Sequence, residues 1–330
     1  MPETAVTKCP YLGGRLFAYS VTYDEALEDL YRETIPLHEE FGIPGHVSVV
    51  VGQMGQPRNL PGSSFHGMRH MDAGQLRELL SMGWTVGSHS WSHWVMAENP
   101  EQEVVRSREV LEEAIGAPVT AFIVPGDNNN HPAVYEVAKA NGYLSVYLVT
   151  DGINTHDSDL YALNRSFFNE EGFGPIWQQY DPWKWLHTAR EQNGWIVEYT
   201  HRATREFLSR QKEISVQSMR RRFERVRSMG EEVWAAPPEH VADYLLCHRH
   251  TEVTAEQVGG KVELRLVVTG LPERVQRREL TVDVEWPEAG EVTARVAEER
   301  LDARRVGEGI VRVTVPVRDG SVVEMAAAGR

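Results

Sequence analysis

The feature that most narrows the folds open to this chain is a recurring alternation of short buried strands with amphipathic helices. Arg15 to Thr22 (RLFAYSVT) is apolar and rich in β-formers. Leu27, Leu30, Tyr31, Ile35, Leu37 and Phe41 follow at helical spacing, and His46 to Val51 (HVSVVV) is strand-like again. Gly42-Ile43-Pro44-Gly45 stops the helix between them. The cycle repeats with a helix from Asp72 to Gly83, a strand at Trp84–Val86, a helix at Glu101–Ile115 and a strand at Val119–Val124. It continues with a helix at Pro132–Ala140 and a strand at Leu144–Val149. After a weaker stretch, Thr155 to Trp185, come a strand at Gly194–Thr200, a helix at Ser215–Met229 and a strand at Glu232–Ala235. Pro237-Pro238 opens a last helix that runs to Cys247. Strands joined by helical crossovers predict an α/β fold with a parallel sheet.

From Thr251 the period changes. Val262–Val268, Leu280–Trp286, Glu291–Val296 and Val311–Val317 alternate apolar and polar, with turn signals at Gly259-Gly260, Pro287–Gly290 and Asp319-Gly320. The expected division is an α/β domain over residues 1–250 and a small antiparallel, β-sandwich-like accessory domain over 251–330. Its exposed strand edges make a homo-oligomer plausible.

Composition removes several functional classes. A formal net charge of −14 over 330 residues gives a long-range field of the wrong sign for nucleic acid or an anionic membrane. No apolar run approaches the ~20 residues that span a bilayer. Met1 to Pro10 carries Glu3 and Lys8 without an apolar core, so no signal peptide is read there and a cytoplasmic location is expected. Cys9 and Cys247 fit no metal or redox spacing and read as free thiols.

Chemistry-bearing residues gather where the strands are expected to end. His89-Ser90-Trp91-Ser92-His93 follows the strand at Trp84–Val86, and i, i+4 spacing puts both imidazoles on one side if the backbone turns helically. Asp24-Glu25 ends the first strand, where buried carboxylates require a partner, solvent or a metal. Pro125-Gly126-Asp127, Asp151 and His201 occupy the same end. Two histidine ligands, two carboxylates and a third histidine can hold a divalent ion, activate water and protonate a leaving group. A second pair, His66 and His70, has no strand before it and Gly67 within it, which weakens it as a site. Trp177, Tyr180, Trp183 and Trp185 either stack on sugar rings or fill a core, the core being the plainer reading. Arg220-Arg221-Arg222 reads as a solvated helix face.

On these residues the chain resembles the polysaccharide deacetylases (carbohydrate esterase family 4), over roughly Arg15 to Arg249. Thr22-Tyr23-Asp24-Glu25-Ala26 stands where the family has Thr-Phe-Asp-Asp-Gly, and His89–His93 matches its His-Ser/Thr-x-x-His motif. Phe122–Asp127 keeps the proline of the third motif without its arginine, and Tyr199-Thr200-His201 corresponds to Leu-x-His. The resemblance implies a distorted (β/α) barrel and removal of an acetyl group from an acetylated sugar or oligosaccharide. It implies Asp24 as general base, His201 as general acid, and Glu25, His89 and His93 as metal ligands. The ion would be zinc first, with cobalt, manganese or nickel as alternatives. Pro125, Asp127 and Trp183 are candidate substrate contacts. Three departures leave alternatives open. Glu25 is one methylene longer than the family's aspartate, so Asp24 and Glu25 can exchange roles. Ala26 replaces a glycine, and the missing arginine leaves Asp127 or Arg165 to orient the base. Hydrolysis of another small amide or imide, and a non-catalytic carbohydrate-binding barrel, are the competing functions.

Overall fold

The computed structural model describes residues 4–59, 61–94, 98–126, 132–173, 180–286 and 290–328. The chain divides into two compact units, residues 17–239 and a second built from 1–16 with 240–330.

The larger unit is a parallel sheet curled into a distorted (β/α) barrel. Its strands are β1 Phe17–Asp24, β2 His46–Val49, β3 Thr85–Ser88, β4 Ala121–Ile123, β5 Ser145–Tyr147, β6 Ser166–Phe167, β7 Trp195–Thr200 and β8 Val233–Ala235. They lie in the order β5-β4-β3-β2-β1-β7-β6, and β8 pairs with the first half of β1. Every one of these pairings is parallel. A parallel bridge between Tyr147 and Leu163 joins the β5 edge to the segment leading into β6, with Leu148 N donating to Leu163 O at 2.8 Å. That bridge closes the circuit.

Parallel strands covered on both faces need apolar residues throughout, and all of β1 is buried. Its two faces differ in kind. Tyr19, Val21 and Tyr23 belong to the apolar core, where Tyr23 meets His38 of the helix Leu30–Phe41 and Met219 of the helix Val216–Ser228. Ser20, Thr22 and Asp24 point the other way, toward polar partners: Trp195 Nε1 donates to Ser20 Oγ, and Arg165 Nη1 reaches both Thr22 and Asp24. Strand parity therefore carries Asp24 to the lumen.

Three local readings change. The first strand, expected from Arg15 and ended by Asp24-Glu25, runs Phe17–Asp24, which makes Asp24 its last residue and Glu25 the first beyond it. The expected helix Glu101–Ile115 begins as a π-helix, Glu101–Arg106, and becomes α-helical at Ser107–Ile115. Arg222 is not on a solvated face. It is 1% exposed, 3.2 Å from Glu198, with its guanidinium against the rings of Trp183 and Phe168. An amphipathic helix has room for one arginine of a run of three on its inner face when a buried carboxylate waits there.

The smaller unit holds two antiparallel sheets. One orders Val6–Lys8, Glu279–Glu285, Ile310–Pro316 and Ala303–Gly307. The other orders Thr251–Val258, Lys261–Val268, Val322–Ala327, Val292–Val296 and Glu299–Leu301. The N-terminal residues sit here because Val6–Lys8 pairs with Val282–Val284. Gly259 and Gly260 both take positive φ between the first hairpin's strands, the conformation a two-residue turn demands. Cys9 and Cys247 are both buried and free. Among the described residues no helix is long and apolar enough to cross a membrane.

Candidate active site

Asp24, Glu25, His89, His93 and His201 converge at the carboxyl ends of β1, β3 and β7, where barrel sites are built. His89 Nε2 lies 3.9 Å from Asp24 Oδ2, and His93 Nε2 lies 3.9 Å from Glu25 Oε1. His201 Nε2 is 3.7 Å from the same Glu25 oxygen.

The His89–His93 segment does not turn helically as its spacing suggested. Ser90 and His93 both take left-handed φ, 66° and 61°, and the rings still meet, 4.9 Å apart at 69°. Glu103 holds that shape from outside: Oε2 accepts from the amides of Trp91 and Ser92, and Oε1 from Ser92 Oγ. Gly87 brings β3 in close, since a Cβ there would stand 2.7 Å from both His46 and Ile123. The carbonyl of Ile123 then accepts from His89 Nδ1 at 2.9 Å, and a carbonyl only accepts. His89 is thereby fixed with its proton on Nδ1 and a lone pair on Nε2. The carbonyl of Lys212 does the same for His201, at 3.1 Å.

Each carboxylate is gripped at one oxygen by a buried arginine. Arg165 Nη1 donates to Asp24 Oδ1 at 2.7 Å, joined by Ser48 Oγ at 3.3 Å. Arg58 Nη1 bonds Glu25 Oε2. The remaining oxygens, Asp24 Oδ2 and Glu25 Oε1, are the ones that face the imidazoles. Arg165 approaches Asp24 from the segment before β6. Asp127 lies outside the described residues.

Glu25 and Ala26 both sit at positive φ, 74° and 47°, the left-handed region that favours glycine. Such a conformation costs a residue with a Cβ roughly 1–2 kcal/mol. Hydrogen bonds from the loop hold it: His70 Nδ1 donates to Glu25 O at 2.6 Å, Met71 N to Ala26 O at 2.8 Å, and Glu28 N donates to Arg69 O at 2.9 Å. His70 is therefore a structural neighbour of the site, and its buried Nε2 has no hydrogen-bond partner among the described residues. Arg58, Ser48 and Glu103 were not singled out as site residues by sequence, and His70 only as half of the weaker His66–His70 pair. Arg58 sits in a Gly/Pro-rich loop, where nothing local marks one arginine over another.

Burial raises the cost of the Asp24 charge, but Arg165 and then His89 more than offset it and hold the carboxyl well below the usual range. Burial brings His89 down to about 4 and His201 down to about 3, against the pull of Asp24. His93 is also pushed well below its ordinary value, by burial and then by His89. All three imidazoles are neutral at neutral pH, the form that binds metals.

A divalent ion fits this donor set in chemistry: anchored neutral imidazoles with lone pairs on Nε2, and carboxylate oxygens facing them. Donors of one zinc ion, each at about 2.0–2.2 Å, lie within roughly 4 Å of one another. The separations here meet that bound pair by pair, but among the described residues no three such side chains form a ready-made cage. Serving one ion would require the Asp24–His89 and Glu25–His93 pairs to close together.

Two expected substrate contacts are placed differently. Pro125 is buried just past the strand whose last carbonyl holds His89. Trp183 is not brought to the cluster: its ring lies on Arg222, whose partner Glu198 bonds Tyr19 on the helix side of the wall.

Residues 17–146 match the polysaccharide deacetylase family model. No curated protein matches the chain. Among solved structures, the Streptococcus pyogenes deacetylase PplD in complex with acetate is 18% identical over 44% of this chain and 62% of its own, with a TM-score of 0.38. IcaB from Ammonifex degensii is 20% identical over 53% and 72%, at 0.41. The matched region therefore spans less than two thirds of the Streptococcus protein.

Proposed function

We propose, for a chain whose residues 17–146 match the polysaccharide deacetylase family model, that it is a hydrolase removing an acetyl group from an acetylated sugar or oligosaccharide. The observation that carries this is the convergence of three histidines on two arginine-held carboxylates at one end of the barrel. Glu25 Oε1, His89 and His93 would hold a divalent ion, zinc first. Such an ion supplies a polarised acyl oxygen and a more acidic water.

The chain's own residues do the rest. Asp24, with Oδ1 held by Arg165, keeps Oδ2 as the atom that takes the proton of the attacking water. Arg165 fixes that oxygen's direction and keeps the carboxyl ionised. His201, its Nδ1–H committed to Lys212 O, has Nε2 as the atom that delivers a proton to the departing amine or alkoxide. It rests neutral, so it must gain that proton before the bond breaks. An amine leaving group needs this more than an alkoxide does.

One observation favours an exchange of the carboxylates' roles: the carboxylate nearest His89 is Asp24, not Glu25. Acetate release with added zinc, cobalt or manganese, measured across acetylated sugars, oligosaccharides and small amides, tests the function. Activity should require the ion and vanish in His89→Ala; metal-independent activity retained in that variant sinks the reading. Glu25→Gln should lower metal content and Asp24→Asn should lower turnover with metal retained. The reverse pattern assigns Asp24 to the ion.

A further inference from the structure

Arg58 and Glu25 are 2% and 1% exposed, and each is the other's charge partner. Arg58 Nε also donates to Ser63 Oγ at 3.2 Å, which fixes the guanidinium from within its own loop. With Arg165 on Asp24, the site holds two carboxylates against two guanidinium groups, so its acidic charge is already matched. A divalent ion arriving at Glu25 Oε1 meets a carboxylate whose other oxygen is occupied by a cation. Repulsion between those cations acts in a site shielded from water, where it is strong. In the absence of the ion, a buried Glu25 without Arg58 would be an uncompensated charge.

We infer that Arg58 is a positioning residue that pre-forms Glu25 for a divalent ion and competes with that ion for its charge. This rests on the reading of Glu25 as a metal ligand. The backbone of Glu25 does not depend on Arg58, because His70 Nδ1 holds its carbonyl and Met71 N holds the next one. Removing the guanidinium therefore removes the competing charge while the ligand stays near its place. The consequence runs opposite to the ordinary loss of a supporting residue, which weakens metal binding.

The test uses the full chain, stripped of metal and titrated with zinc against a competing chelator. Arg58→Gln should bind zinc more tightly than wild type, on the order of tenfold. Arg58→Lys, which keeps the charge, should stay close to wild type. Without metal, Arg58→Gln should melt lower than wild type, and zinc should raise its Tm by more. Equal or weaker zinc binding by Arg58→Gln overturns the competition. Zinc bound by wild type and lost in His89→Ala leaves the metal-site reading standing whatever Arg58→Gln does; no zinc binding by any variant overturns both. If metal-free Arg58→Gln does not fold, the variant is purified with zinc and its release into excess chelator is timed. Slower release than wild type supports the competition, and equal or faster release ends it.

Discussion

In residues 17–239 the side chains of Asp24, Glu25, Arg58, Arg165, Glu198 and Arg222 are all buried, each against a group of opposite sign. In the β unit the pairs Arg312–Asp283, Arg277–Glu279 and Arg265–Glu263 stay partly or well exposed, and the inner strand positions are Val, Leu, Ala and Met. Asp243 is buried there, but its carboxylate accepts the amides of Gln276 and Arg277 and closes a turn. Both units fold around apolar cores of ordinary kind. Buried ion pairs are poor stabilisers compared with apolar residues of the same volume. Stability alone is a weak reason for a unit to retain several, two of them at the carboxyl ends of its strands.

The sharpest way to break this contrast is Arg165→Met. Asp24 would lose the charge that keeps it ionised and be left buried without compensation, which costs about 3–5 kcal/mol. Urea denaturation should show that loss, and turnover should fall with it. Asp24→Asn added to Arg165→Met should recover part of the stability and none of the activity. A loss under 1 kcal/mol for Arg165→Met would show that the lumen is wetter than its packing implies.

The barrel was legible in sequence because parallel strands need crossovers, and the crossover helices carry a clear period. Asp24, Glu25, His89 and His201 could be placed at one end of the sheet from sequence because each ends or directly follows a strand, and His93 lies in the loop just beyond His89. What was hidden depends on distance. Arg58 approaches Glu25 from 33 residues away in the chain, out of a segment with no period of its own and with nothing to mark it. Arg165, 141 residues from Asp24, was legible only as an alternative to Asp127 for orienting the base. Trp183 stayed open between core and sugar contact, with core the plainer reading, because an aromatic side chain carries no mark of which face of the wall it will take. Arg222 looked solvated because its two neighbours are the exposed type, and only the packed helix reveals Glu198 beneath it.

A second, smaller test uses pH. His38 is buried among Tyr23, Trp84 and Phe223, with Nδ1 donating to Ile43 O and Nε2 against Tyr23 Oη, both at 2.6 Å. Burial brings it down to about 3. The unfolded chain therefore binds the proton first as pH falls below ~6.5, so folding stability is complete above that value and drains away toward pH 3. The loss is roughly 1.4 kcal/mol per pH unit for such a group. His38→Leu should flatten the acid limb of stability against pH between 6 and 4. An unchanged slope would mean that the imidazole is protonated in the fold.

The smallest effect belongs to the β unit and completes the contrast. Arg312 donates to both oxygens of Asp283, at 2.7 and 2.8 Å, on paired strands. The geometry is bidentate, the best an arginine offers, yet the side chains remain 21% and 26% exposed. Water screens the attraction and rehydrates whichever partner is left alone. Asp283→Asn should therefore cost about 1 kcal/mol or less, read from the same urea curves as Arg165→Met. If the two substitutions cost the same, burial does not separate the two units' charges, and the case for the barrel's paired carboxylates as chemistry weakens with it.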